Sequence, residues 1–203
     1  MSAVLSPPKV SLEGLDAEDL EVPTLDRSGD LLTGQRVTGP NTVKGSKPTV
    51  VLLHGLLGDF DRDYMRMLTQ HYVAQGYPVV RMNLRGAGSS RPLCTRNYHG
   101  GFTLDMVAIA QALSAREDTG GLAWIGISLS GNMLLKAASE TPFLEAADQR
   151  HIVSVSAPFD LVATAVRFSR RRNMPYSRLE DIGVNPNAAD REAHKSFWNV
   201  SSR

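Results

Sequence analysis

The stretch that decides the fold is Gly126-Ile127-Ser128-Leu129-Ser130-Gly131. It follows the apolar run 121–125 and leads into the helix-like segment 132–138. A serine with a small residue two positions before it and another two positions after it, between a strand and a helix, is typical of a nucleophile elbow. The second flanking position holds Ser130 rather than glycine, which keeps the side chain small. The sequence therefore predicts that Ser128 is a nucleophile at a tight turn. The alternative is that Ser128 is only a small residue that fits such a turn.

Segments with strand and helix patterns alternate along most of the chain. Short apolar runs predict parallel strands at 49–53, 78–84, 122–127 and 152–156. Helical periodicity predicts helices at 61–76, 103–113 and 132–139, the first capped by Asp61 and the second by Thr103. An antiparallel hairpin of strands 21–25 and 31–37 precedes them. This order predicts an α/β fold with a mostly parallel sheet and helices on both faces.

Composition restricts the class of protein. The chain has 203 residues, with 22 lysines and arginines against 21 aspartates and glutamates. That balance produces no field that would attract nucleic acid or an anionic membrane. No apolar run reaches the ~20 residues that span a bilayer, so we expect no transmembrane segment, and the N-terminal residues lack a signal-peptide pattern. Because Cys94 is the only cysteine, no intrachain disulfide can form, and we expect a cytoplasmic protein.

Polar or glycine-bearing segments follow three of the predicted parallel strands, and ligands of an open α/β sheet bind at that edge. The segments are 54–59, 83–90 and the turn at Ser128. Attack on an ester requires a nucleophile and backbone N–H donors for the developing oxyanion. Gly55 permits unusual dihedral angles that would turn the Leu56 N–H inward. The Leu129 N–H would lie at the positive end of the helix that follows the serine.

Five motifs, in the same order, resemble those of the α/β-hydrolase superfamily, and more narrowly its YheT-like and embryogenesis-associated EMB8-like branch of esterases and lipases. They are His54-Gly55-Leu56-Leu57-Gly58, Asn83-Leu84-Arg85-Gly86, Tyr98-His99-Gly100-Gly101-Phe102-Thr103, Gly126-Ile127-Ser128-Leu129-Ser130-Gly131-Asn132 and Ser156-Ala157-Pro158-Phe159-Asp160-Leu161. The resemblance implies that Ser128 is the nucleophile, that Leu56 and Leu129 form the oxyanion hole, and that four motif residues support them: His54, Gly55, Gly126 and Gly131. It also implies a small-molecule acyl ester as substrate, water as second substrate, and neither a metal nor a cofactor.

The remaining members of a catalytic triad are not evident. In this superfamily an Asp or Glu and then a His follow the serine. Here the histidines after Ser128 are His151, at the amino end of a predicted strand, and His194, in a polar tail. We therefore expect the front part of a longer enzyme, truncated at its C-terminus. Its expected parts are a flexible arm at 1–20, a partial α/β-hydrolase core at 21–172 and the start of a lid-like helical segment at 173–203.

Several side chains are alternative members of the site. His54 is expected to shape the oxyanion loop rather than to act as a base. His99, in a glycine-flanked loop, is the better internal substitute, whereas His194 would be poorly held. Asp160 could orient a histidine, but it fits better as the N-cap of a helix predicted at 161–168.

Three other features are weaker indications. The run Arg170-Arg171-Arg172 could bind an anionic head group, but it fits a solvated helix end better. The Gly86-Ala87-Gly88 stretch lacks the remaining glycines of a dinucleotide fingerprint. Cys94 lies near Arg91 and Arg96 in sequence, but no paired base is evident that would make it a reactive thiol.

The sequence thus predicts a serine hydrolase of the carboxylic-ester type that acts through Ser128. The alternative comes from another class: a non-catalytic remnant of this fold, or a binding protein. The balanced charge leads us to expect no nucleic acid partner. We also expect the last strand to lack a partner on one side and apolar surface to be exposed, which favours self-association through the sheet edge.

Overall fold

A six-stranded β-sheet with helices on both faces forms the described part of the chain. The structure is a computed structural model that describes residues 10–161, 163 and 164. The strands are β1 (Asp16–Pro23), β2 (Leu31–Thr38), β3 (Thr49–Leu53), β4 (Val79–Met82), β5 (Leu122–Ile127) and β6 (Gln149–Val155). The helices are α1 (Asp63–Ala74), α2 (Thr103–Ser114), α3 (Leu129–Ala137) and α4 (Thr141–Glu145), and a 3₁₀ turn spans Gly88–Leu93.

The strand order in the sheet is β1-β2-β4-β3-β5-β6. β3 pairs in parallel with β4 on one side and with β5 on the other, and β5 pairs in parallel with β6. β1 and β2 form an antiparallel hairpin, and β2 pairs antiparallel with β4. The predicted α/β fold with a mostly parallel sheet is confirmed. The segments that follow β3, β4 and β5 therefore meet at one edge of the sheet, where ligands of such folds bind.

Apolar side chains cover both faces of the sheet. On one face, α1 packs Met65 and Val73 against the central strands. On the other face, α2, α3 and α4 enclose a larger cluster that contains Trp124, whose indole N–H donates to Gln149 Oε1 over 2.6 Å. Every residue of β3 is buried, as the short apolar run predicts for a strand covered on both faces. The edge of the sheet at the carboxyl ends of β3, β4 and β5 is thus supported by buried central strands.

The first strand begins earlier than the sequence predicts. β1 starts at Asp16, so residues 16–20, which their polar composition assigns to a flexible arm, belong to the sheet. Val22 is the one buried residue of this strand. The strand therefore lacks apolar alternation and is held mainly by backbone pairing with β2, which leaves no periodic signal in the sequence. Residues 1–9 and the predicted lid-like segment at 173–203 lie outside the described residues.

Both predicted N-caps are wrong. α1 begins two residues after Asp61, and the Asp61 carboxylate accepts hydrogen bonds from Arg66 and Arg81 instead. α2 begins at Thr103 itself, so Phe102 occupies the N-cap position and provides no side-chain cap.

The C-terminal half differs from the prediction mainly at element boundaries. α3 begins at Leu129, three residues earlier than predicted, and the short helix α4 has no counterpart in the prediction. β6 begins at Gln149 and, within the described residues, pairs only with β5. Val153 and Val155 of β6 are 46% and 42% exposed. Within the same residues, no helix combines the length and the apolar character that crossing a lipid bilayer requires.

Candidate active site

Ser128 alone forms the turn between β5 and α3. β5 ends at Ile127, α3 begins at Leu129, and Ser128 has φ 57° and ψ −119°. This lies outside the regions that L-residues favour and carries strain of about 1–3 kcal/mol. The Ser128 N–H donates to Val155 O over 2.8 Å, and the Ser128 carbonyl accepts from the Asn132 N–H over 3.2 Å. The tight strand–turn–helix that the sequence predicts is present.

Packing requires the two glycines that flank this turn. A Cβ atom on Gly126 would lie 2.7 Å from Leu134 Cδ1 and 2.7 Å from Ser130 O. On Gly131 it would lie 2.9 Å from Gly126 O and 2.6 Å from Ser154 Oγ. Atoms do not approach so closely, so a larger residue at either position would push α3 away from β5. The two glycines allow the helix to start directly against the strand.

Ser130 has a role that its small size alone does not indicate. The side chain is fully buried. Its hydroxyl donates to Leu53 O over 2.8 Å and accepts from the Ile127 N–H over 2.8 Å. Leu53 and Ile127 are the last residues of β3 and β5. One hydroxyl therefore joins the strand end that precedes the His-Gly loop to the strand end that precedes Ser128.

The loop after β3, residues 54–58, lies directly against the turn; we call it the oxyanion loop, after the role that the sequence resemblance implies for it. A Cβ atom on Gly55 would lie 3.1 Å from Ser128 Cβ and 3.2 Å from Ile127 O. The prediction that Gly55 adopts unusual dihedral angles is wrong. The residue of this loop that has a positive φ is Leu57, at 59°. Gly55 is required by close approach of the loop to Ser128 rather than by its own backbone conformation.

Two backbone N–H groups near Ser128 have no hydrogen-bond acceptor among the described residues. They belong to Leu56 and Leu129. Leu129 is the first residue of α3, where orphan N–H groups carry the positive end of the helix dipole. The Leu56 side chain is 43% exposed, so this part of the loop reaches the surface.

His54 supports the loop and is not available as a base. Its ring is fully buried; Nδ1 bonds Gly55 O over 2.7 Å, and Nε2 accepts the Leu84 N–H over 3.1 Å. Since a carbonyl only accepts, Nδ1 carries the proton and the ring is neutral. Burial lowers the pKa of His54, and the bond to Gly55 O offsets this only in part. The ring therefore links the loop after β3 to the backbone after β4.

His99 lies in a loop beside the start of α3. A Cβ atom on the adjacent Gly100 would lie 3.8 Å from Leu129 Cδ1. The Gly101 N–H donates to His99 Nδ1 over 3.0 Å. With Nδ1 accepting, the neutral ring holds its proton on Nε2, so neither nitrogen of this form is ready to take a proton from Ser128.

The other predicted alternatives have structural explanations or lie outside the described residues. Asp160 Oδ1 accepts the Ala163 N–H over 2.8 Å, which is the capping bond expected at a helix N-terminus. His151 lies in β6 opposite Ala123, near the amino end of the sheet. His194 and the arginines at 170–172 lie outside the described residues.

The glycine pair at 86 and 88 and the cysteine also serve packing. A Cβ atom on Gly86 would lie 2.8 Å from Arg96 O, and one on Gly88 would lie 2.8 Å from the side chain of Asn83. The Cys94 thiol donates to Leu31 O over 3.2 Å, and burial raises its pKa. A raised pKa lowers the thiolate fraction, which argues against a reactive thiol.

Sequence reasoning missed a buried ionic cluster around Arg85. The fully buried guanidinium binds Asp26 at 2.8 Å, Asp30 at 3.0 Å and Asp105, and it lies 4.5 Å from the centre of the Phe102 ring. It ties the turn between β1 and β2 to the first turn of α2. Arg85 is part of the motif Asn83-Leu84-Arg85-Gly86, but the three aspartates that it binds are distant from it in sequence, so no local pattern predicts the cluster.

Two clefts lie at opposite edges of the sheet. The cleft at the edge that carries Ser128, about 440 Å³, is lined by residues 59–63, Asn83, Gly88 and Ser89 and does not include that serine. A second cleft lies at the opposite edge, near His151. Among the described residues, no group of three His, Cys, Asp or Glu side chains is placed to hold a metal ion.

Comparison with known proteins identifies a family. Residues 48–178, more than half of the chain, match the family described as the alpha/beta hydrolase fold. YheT of Escherichia coli (strain K12), which is named as a candidate esterase, is 32% identical over 136 residues, covering 65% of this chain and 38% of that protein. The embryogenesis-associated protein EMB8 of Picea glauca is 27% identical over 121 residues, covering 58% of this chain and 25% of that protein. The match therefore spans less than half the length of either relative.

A solved structure supports the same fold. The esterase Pf2001 of Pyrococcus furiosus superimposes with a TM-score of 0.61 at 21% identity, covering 82% of this chain and 63% of that chain. At this identity the likeness concerns the fold alone. The resemblance found in the five sequence motifs is confirmed by these matches.

Proposed function

Because the chain belongs to the α/β-hydrolase fold family, we propose that it is a serine hydrolase of carboxylic esters with Ser128 as the nucleophile. The observation that carries the proposal is the strained turn at Ser128, packed against the oxyanion loop. Strained residues persist only where the surrounding structure over-determines them, and they cluster at active sites. The esterase name of YheT supports the same reaction class.

The reaction in this proposal is acyl transfer. Ser128 Oγ attacks the ester carbonyl carbon as its proton passes to a general base, and the carbonyl π electrons move onto the oxygen. The Leu56 and Leu129 N–H groups donate to that oxyanion, and one such donor is worth about 10²–10³-fold in rate. The intermediate collapses by breaking the bond to the alcohol oxygen, which leaves with a proton. Water then attacks the acyl carbon, the bond from that carbon to Ser128 Oγ breaks, and the carboxylic acid is released as Ser128 Oγ regains a proton.

We assign the general base to neither of the histidines near the site edge. Both nitrogens of His54 are engaged with backbone groups, and the neutral form of His99 holds its proton on Nε2. A serine hydroxyl without a base stays protonated and attacks slowly. The proposal therefore places the proton acceptor outside this pair of residues.

The proposed substrate is a small-molecule acyl ester, with water as the second substrate and without a metal or cofactor. The balanced charge and the single cysteine support a cytoplasmic location.

Hydrolysis of p-nitrophenyl butyrate tests the function. We expect release of p-nitrophenol by the wild-type chain and a fall to the uncatalysed background in Ser128→Ala. Ser139→Ala, which removes an exposed hydroxyl near the end of the same helix, is the matched control and keeps wild-type turnover. Equal turnover in wild type and Ser128→Ala would instead support the alternative, a non-catalytic remnant or binding protein.

A further inference from the structure

Two tyrosine hydroxyls hold the oxyanion loop. The Gly55 N–H donates to Tyr64 Oη over 3.2 Å, and the Leu57 N–H donates to Tyr98 Oη over 2.8 Å. Tyr64 comes from the first turn of α1, and Tyr98 comes from the segment that precedes α2. Two separate elements therefore reach the same five-residue loop, one on each side of Leu56.

The peptide plane that carries the Leu56 N–H is fixed through its own carbonyl. Gly55 O belongs to the same planar unit as that N–H, and the two groups point in opposite directions. Gly55 O accepts hydrogen bonds from His54 Nδ1 over 2.7 Å and from the Gly58 N–H over 3.0 Å. Of the amides at 55–58, the Leu56 N–H is thus the one without an acceptor in the described part of the chain.

Leu57 shows why such support is required. Its φ of 59° is a left-handed conformation that a leucine rarely adopts. The bond from its N–H to Tyr98 Oη fixes the peptide plane on the far side of Leu56. The Tyr98 ring also meets the His54 ring edge-on, with centroids 6.0 Å apart, so one tyrosine contacts both ends of the loop.

We propose that Tyr64 and Tyr98 are positioning residues, which orient the Leu56 N–H toward the oxyanion formed when Ser128 attacks. This inference rests on the proposed function. Preorganised donors act at no reorganisation cost during the reaction, so loosening the loop lowers the rate even though the tyrosines do not touch substrate. Burial raises the pKa of both hydroxyls, so they keep their protons and remain neutral acceptors of the two N–H groups.

The test compares four single hydroxyl deletions. Tyr64→Phe and Tyr98→Phe remove the two acceptors, whereas Tyr72→Phe and Tyr77→Phe remove hydroxyls that make no hydrogen bond within the described residues and serve as matched controls. With p-nitrophenyl butyrate we expect kcat to fall by about 10- to 100-fold in the first pair, because small misplacements of catalytic groups cost rates of this order. KM stays near the wild-type value, because the loop acts on the transition state.

Amide hydrogen exchange measured by NMR gives a second readout that does not need turnover. We expect faster exchange at Gly55 in Tyr64→Phe and at Leu57 in Tyr98→Phe, with both amides unchanged in the controls. Wild-type kcat and wild-type exchange in the two loop variants would overturn the inference. If Ser128→Ala hydrolyses the ester as fast as wild type, the proposed function fails and the catalytic role of the tyrosines fails with it; exchange rates then decide whether they hold the loop at all.

Discussion

Ser130 illustrates how much one hydroxyl can hold at this site. Its oxygen has no exposure to solvent and bonds the last residues of both β3 and β5. Those strand ends carry the two halves of the proposed oxyanion hole. A turn that needs only a small residue would accept glycine here, so the serine contributes hydrogen bonds as well as a small volume.

Replacement of this hydroxyl is expected to destabilise the fold. Ser130→Ala removes the donor to the buried Leu53 O and the side-chain acceptor of the half-buried Ile127 N–H, and a buried polar group that loses its partner costs about 1–3 kcal/mol. Urea unfolding measures the loss. The exposed Ser139→Ala control should change the free energy of unfolding by less than about 0.5 kcal/mol. Equal values for the two variants would show that the Ser130 hydroxyl contributes nothing.

His54 should make stability depend on pH. Burial lowers its folded-state pKa below the unfolded value of about 6.5. Just below pH 6.5 His54 is therefore protonated in the unfolded chain and neutral in the folded chain. The contribution of His54 to the free energy of unfolding is therefore fully present above about pH 6.5. It is lost as the pH falls from about 6.5 to the lower folded-state pKa.

The variant His54→Gln can make both backbone bonds without titrating, so it should remove this slope. His71→Gln, at an exposed position of α1, is the matched control and should retain it. Unfolding free energies between about pH 5 and 8 check the expectation. A slope that persists unchanged in His54→Gln would contradict it.

Elements far apart in sequence are joined by the Arg85 cluster. It connects the hairpin turn of β1 and β2 with the start of α2, next to the loop that contains His99. Burial acts in the opposite sense, but hydrogen bonds from Ser28 and Thr24 and the charge of Arg85 hold the pKa of Asp26 well below its usual range. The pKa of Asp30 is lowered as well, by its bonds to Thr95 and by Arg85, whereas burial raises the pKa of Asp105. Arg85 therefore holds two ionised carboxylates in the hairpin turn and bonds the buried carboxyl group of Asp105 at the start of α2.

Removal of the Arg85 guanidinium is expected to lower the free energy of unfolding strongly. Arg85→Met leaves Asp30 and Asp105 buried without their partner, and breaking a buried ion pair in this way costs about 3–5 kcal/mol. Arg150→Met, which removes an exposed ion pair with Asp148, should cost less than about 1 kcal/mol. Denaturant unfolding of both variants measures the difference, and similar losses would contradict a structural role for the cluster.

The sequence predicts elements well where burial is periodic or continuous. The strand 122–127 and the run 49–53 match β5 and β3, because burial on both faces leaves an unbroken apolar signal. The sequence mispredicts the start of β1 and the role of Asp61, because backbone pairing decides the first and bonds from Arg66 and Arg81 decide the second. At the site, the small-residue pattern predicts the Ser128 turn, whereas Tyr64 and Tyr98 act through contacts that no local spacing encodes.

At the scale of the whole molecule, the edge of the sheet at β6 is open among the described residues. Within the described residues this strand has one neighbour, and Val153 and Val155 remain 46% and 42% exposed. An unpaired strand edge with apolar side chains is a template for pairing with another chain. We therefore predict concentration-dependent self-association.

Sedimentation velocity at several protein concentrations checks this prediction. Val153→Lys places a charge on the edge strand and should give a monomer, because charged edge residues block pairing. Val43→Lys, at an exposed loop position, should associate as the wild type does. A wild-type chain that stays monomeric at every concentration would contradict the prediction.

The central claim is that Ser128 is a nucleophile at the sheet edge. Its most direct test is treatment of the protein with a fluorophosphonate probe, followed by mass spectrometry of the peptides. The account predicts a covalent adduct on Ser128 that is absent from Ser128→Ala and retained in Ser139→Ala. An unmodified Ser128, or equal labelling of other serines in all three proteins, would contradict it.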